Sequence, residues 1–105
     1  KALAVSGGKR AQTVPALPTI AEAGLNGYEA GSWYGIVVPA ATPSSIVTAL
    51  HAASIKTLRV PLLLDRMKAQ GLEPVGSSPA EFDARIRRDI AKWRRVLKEA
   101  NIVMQ

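Results

Sequence analysis

The chain has 105 residues, 48% of them hydrophobic, and a net charge of +6. One domain's worth of sequence at most is present, and it is apolar enough to ask for a core. With no cysteine, there are no disulfides, thiol nucleophiles or thiolate metal sites; the single histidine, His51, cannot build a zinc site alone. No apolar run reaches the length of about 18 residues that a membrane span needs. No signal peptide opens the sequence, so an exported protein would have lost it or carry it outside this stretch.

Ala2-Leu3-Ala4-Val5 is a short apolar run closed by Ser6-Gly7-Gly8, which predicts a buried strand and a turn. A chain that starts inside such a strand is expected to be a fragment. The glycine pair is followed by Lys9-Arg10-Ala11-Gln12-Thr13, which starts no amphipathic helix, and its spacing fits no phosphate loop. Val14 to Thr19 is extended, because each proline pushes its predecessor out of the helical region. Thr19 and Glu22 form the sequence of a capping box, and Gly24 suits a left-handed helix end, so a single helical turn is expected between them. Asn26-Gly27 marks a further turn.

Gly31 to Pro43 is where the chain changes character. Trp33 and Tyr34, two of its five aromatic residues, lead into Ile36-Val37-Val38, and a strand over Trp33–Val38 is expected. Thr42 then caps a helix with Pro43 at its first position, running to about Leu58. Ile46, Val47, Leu50, Ile55 and Leu58 share half of its wheel, with Lys56 and Arg59 outside. His51 falls in the apolar arc. A ligand or proton-transfer role would need an acidic or nucleophilic neighbour, and none is near in sequence, so a half-buried histidine in a structural hydrogen bond is expected.

Pro61 starts a second helix that ends at about Gln70 before Gly71, with Leu63 and Met67 as its buried stripe. Leu72 to Gly76 is extended, and Pro74 suits a sheet edge. Ser78, Pro79 and Glu81 open the last helix with a second capping box. Phe82, Ile86, Ile90, Trp93 and Leu97 fall within an arc of about 80° that should anchor it to a core. Glu81–Arg85 and Asp83–Arg87 are expected ion pairs at i,i+4 spacing. Asn101 ends the helix, and Ile102 to Gln105 reads as a tail.

Seven of the fourteen basic residues lie between Arg85 and Lys98, with Asp89 among them and Glu99 after them. Mixed signs along a helix are the ordinary pattern of a solvated face. Residues for catalysis are absent: no G-x-S-x-G elbow, no triad context for His51, and carboxylates spaced for surface ion pairs. An enzyme is therefore not expected, and neither metal nor cofactor is called for. A basic helical interaction module, binding nucleic acid or a protein partner, is the alternative that the charge leaves open. It has no recognised motif, and no aromatics interleave with the basic residues.

Two motifs go further. Val14-Pro15-Ala16-Leu17-Pro18-Thr19-Ile20-Ala21-Glu22-Ala23-Gly24 is followed by Ser32-Trp33-Tyr34-Gly35 and Pro39-Ala40-Ala41-Thr42-Pro43. Their order and spacing resemble the substrate-binding proteins of tripartite tricarboxylate transporters, the Bug or TctC family. The opening Ala-Leu-Ala-Val strand, the Gln70-Gly71 break, Ser78-Pro79-Ala80-Glu81-Phe82 and the Trp93 helix agree, so the resemblance covers essentially the whole chain. It implies an α/β architecture, the C-terminal part of a type II periplasmic-binding-protein-like fold, with short strands and three main helices. It also implies a protein about three times as long, of which this is the C-terminal third. Residues 1–32 would finish the second lobe and residues 33–105 return to the first.

The function implied is capture of a small carboxylate in the periplasm and its delivery to the membrane permease subunits of the transporter, with no nucleic acid involved. Ser32, Trp33 and Tyr34, at the crossing between lobes, are the ligand-binding residues that the resemblance offers; plain packing at the hinge is the competing expectation for the two aromatics. With half a sheet and one lobe absent, exposed apolar surface and a homo-oligomer of the fragment are expected.

Overall fold

The computed structural model describes residues 1–102. It contains three helices: α1 (Ser44–Thr57), α2 (Pro61–Ala69) and α3 (Pro79–Glu99). The chain divides into two compact units. One is Lys1–Val37 with Leu58–Pro74; the other is Val38–Thr57 with Val75 onward.

In the first unit, the opening run is held at one point. The Val5 amide donates to the Pro18 carbonyl and the Ile20 amide to the Val5 carbonyl, both at 2.9 Å, which makes a parallel bridge between Val5 and Thr19. The expected strand over Ala2–Val5 is thus reduced to a single bridge. Thr19 is the one buried residue among those described. Its amide donates to Glu22 Oε2 at 2.8 Å, and the Glu22 amide donates to Thr19 Oγ1 at 3.1 Å, so the first capping box is formed. One helical turn follows, with Ala23 N–H on the Thr19 carbonyl, and Gly24 ends it at φ +120°. A second tether runs from the Ala30 amide to the Ser6 carbonyl at 2.8 Å.

α2 begins at Pro61 after an extended Val60. Its end is a Schellman motif: Leu72 N–H donates to Met67 O at 2.9 Å, Gly71 N–H to Lys68 O at 3.0 Å, and Gly71 sits at φ +70°. Leu63 and Met67 are half-buried, as their spacing predicts.

In the second unit, the Val47 amide donates to the Pro43 carbonyl at 3.2 Å, so the first bonded carbonyl of α1 is that of Pro43, one residue later than expected. Ile46 and Leu50 remain exposed, while Val47 and Ile55 are half-buried, as is Leu58, which belongs to the first unit. α3 carries the second capping box in full, between Ser78 and Glu81. It closes with another Schellman motif, Ile102 N–H on Leu97 O and Asn101 N–H on Lys98 O, with Asn101 at φ 52°. The tail expected beyond Ile102 lies outside the described residues.

The expected strands Trp33–Val38 and Leu72–Gly76 do not form: the one isolated β-bridge among the described residues is that between Val5 and Thr19, and Gly76 turns to φ 63°. A strand is stable only when its N–H and C=O groups meet a neighbouring strand. The apolar side chains tell the same story. No hydrophobic residue is buried among the described ones. The accessible surface is 8876 Å², against about 5,700 Å² for a folded monomer of this mass. Trp93 and Ile90, expected to anchor α3 in a core, are 44% and 46% exposed.

Candidate functional site

Ser32, Trp33 and Tyr34 lie on the extended segment after the Ala30–Ser6 tether. All three are exposed, Trp33 at 40% and Tyr34 at 83%. Three glycines flank or precede them, Gly27, Gly31 and Gly35, and a side chain at Gly31 would meet no atom within 4 Å. The segment therefore carries a largely exposed phenol hydroxyl, on Tyr34, that is able to donate to a carboxylate oxygen.

A separate concavity of about 290 Å³ lies in the first unit, where the Gln12–Thr13 loop meets Leu64, Lys68, Leu72 and Glu73. The Gln12 amide donates to Glu73 Oε1 at 3.3 Å and ties the loop to the exit of α2. Lys68 and Glu73, five residues apart, place opposite charges in this groove, and the Gln12–Thr13 loop that meets them lies 55 or more residues earlier in the chain.

Two carboxylates are tuned by their caps. The Thr19 amide, and after it the Arg10 guanidinium, hold Glu22 below the ordinary carboxylate value. Arg10 Nε lies 2.9 Å from Glu22 Oε2. The Ser78 amide and hydroxyl do the same for Glu81, with a smaller contribution from His51. This explains a corrected ion pair. Glu81 does not reach Arg85; it turns back to the donors of the α3 N-terminus, and Arg85 pairs with Asp89 at 3.3 Å. Asp83–Arg87 forms as expected, at 2.8 Å.

His51 is half-buried in the second unit, as its place in the apolar arc predicts. The hydrogen bond expected of it is missing at one end: Nε2 is shielded from solvent and has no partner. Among the described residues, no group of three or more histidine, aspartate and glutamate side chains could hold a metal. No single helix there is long and apolar enough to cross a membrane.

Comparison with known proteins gives these features a setting. Residues 1–102 match the model of the tripartite tricarboxylate transporter family receptor, TctC. The chain is 32% identical over 100 residues to the UPF0065 protein in the tcbD-tcbE intergenic region of Pseudomonas sp. (strain P51), covering 94% of this chain and 30% of that protein. It is 29% identical over 99 residues to protein BugT of Bordetella pertussis, with the same coverage. Among solved structures it is similar to R. palustris Rpa4515 with adipate, at 38% identity and TM-score 0.77, over 94% of this chain and 33% of that one. It is also similar to the periplasmic binding protein BugD, at 33% identity and TM-score 0.75, over 100% and 36%. The chain thus spans about a third of the length of the relatives it matches. A match over residues 1–102, supported by two solved relatives, places the chain in the tripartite tricarboxylate transporter receptor family.

Proposed function

We propose that this chain is part of a periplasmic solute-binding protein that captures a small carboxylate for a tripartite tricarboxylate transporter. The observation that carries the reading is the 38% identity, over 94% of the chain, to a protein solved with adipate. The whole protein would have two lobes of the type II periplasmic-binding kind, with residues 1–32 in one and 33–105 in the other. Ser32, Trp33 and Tyr34 would then line the ligand cleft from the crossing segment. Backbone amides and helix N-termini of the remaining chain would hold the carboxylate, since they aim N–H groups at negative charge without bulk. The net charge of +6 would favour encounter with an anion.

On this reading the protein is a binding component and not an enzyme, and it hands its ligand to the permease subunits. The chain by itself would self-associate through its uncovered apolar side chains, which sedimentation velocity would read as dimers or larger species; a monomer at all concentrations would refute this part. Calorimetry on the full-length receptor tests the ligand class with a panel of mono-, di- and tricarboxylates. One or more should bind, and Trp33→Ala or Tyr34→Ala should weaken that binding by about tenfold, the worth of one good contact. A folded full-length protein that takes up none of the panel would sink the proposal.

A further inference from the structure

Six cations, Arg87, Arg88, Lys92, Arg94, Arg95 and Lys98, stand between residues 87 and 98 of α3 against one carboxylate, Asp89. At 100° per residue they occupy about 160° of the helix circumference, with Ala84 and Ala91 near its middle, away from the apolar arc. Asp89 falls outside this arc and is bonded to Arg85. The acids at its margins do little to neutralise it. Asp83 pairs with Arg87, whose side chain stays 78% exposed. Glu99 sits 3.9 Å from Arg95, with the two side chains 70% and 74% exposed. Arg88, Arg94 and Lys98 are exposed and make no ion pair among the described residues. Between residues 87 and 98 the arc therefore carries six cations and no carboxylate.

We propose that this arc of α3 is a docking surface for a carboxylate-rich protein surface. On the receptor reading, on which the proposal rests, the partner is the membrane subunit that accepts the ligand. Four of the six cations are arginines, whose planar forks take carboxylates at two points. The alanines between them let a partner surface come close. The arc carries no large apolar side chain to insert among acyl chains, which a lipid-seated surface needs. Such a face mainly raises the rate and specificity of encounter and is weakened by salt.

The test uses the full-length receptor and phosphatidylcholine proteoliposomes that hold the transporter's membrane subunits. Co-sedimentation should show binding that falls by about tenfold or more on going to about 0.5 M KCl. The Arg88→Glu/Arg94→Glu variant should lose about as much at low salt, while Arg88→Lys/Arg94→Lys retains most of the binding. Glutamate and arginine have similar helix propensities, so circular dichroism should be unchanged. Adipate calorimetry on the same variants separates the two proposals: unaltered ligand binding with lost docking supports this one. Equal docking by wild type and reversed variant overturns it, as does no docking by wild type. Equally tight binding to subunit-free vesicles rich in phosphatidylglycerol, or to short duplex DNA, also overturns it.

Discussion

Ser78 and Glu81 hold each other by three hydrogen bonds. The Ser78 amide and hydroxyl donate to Glu81 Oε2 at 2.8 and 2.7 Å, and the Glu81 amide donates to Ser78 Oγ at 3.3 Å. The pair satisfies amides that α3 would otherwise leave unbonded at its start. Ser78→Ala removes the hydroxyl from all of this and should cost about 1 kcal/mol. Urea unfolding of the full-length receptor would show it as a lower midpoint with an unchanged slope. An unchanged midpoint would mean that the cap contributes nothing.

The two capped carboxylates predict a pH response with a definite sign. Glu22 and Glu81 are both held below their ordinary value of 4.5 in the folded chain. A depressed folded value means that the stabilising contribution is complete at neutral pH. It is lost as pH falls from the unfolded value through the folded one. Carboxyl NMR titration should place both midpoints below 4.5. In Arg10→Gln the Glu22 midpoint should rise only part of the way back, because the Thr19 amide remains. Midpoints at or above the ordinary value would contradict both capping boxes.

Gly71 and Asn101 occupy the same position at the ends of α2 and α3, at φ 70° and 52°. A side chain at Gly71 would meet no atom within 4 Å, so the cost of placing one there is all backbone. Gly71→Ala should destabilise the receptor by about 1 kcal/mol. Gly71→Asn should lose less, because asparagine tolerates the left-handed region. Equal losses in the two variants, read by urea unfolding, would show that packing rather than φ governs the site.

What was legible in the sequence is what depends on near neighbours. Thr19 with Glu22, Ser78 with Glu81, and the stops at Gly24, Gly71 and Asn101 each rest on bonds within a few residues, and all are formed. The apolar run over Trp33–Val38 predicts a strand, yet a strand is completed by another segment, and no β-bridge joins this one to another among the described residues. Spacing alone pairs Glu81 with Arg85, but the free amides at the start of α3 draw Glu81 back to Ser78. Ser32, Trp33 and Tyr34 have a local context, but a binding site is made by segments that meet in space and is not a property of one segment. The groove around Lys68 and Glu73 was invisible because it joins a loop and a helix end far apart in sequence.

The closed ends of α3 bear on how a receptor of this family reaches its final form. Its 21 residues begin in a capping box and finish in a Schellman motif, both made from local bonds. Nothing distant is needed to define its length, and local contacts form quickly. Its apolar side keeps Ile90 and Trp93 partly in solvent. Such a helix is suited to form early, ahead of whatever comes to cover its apolar side.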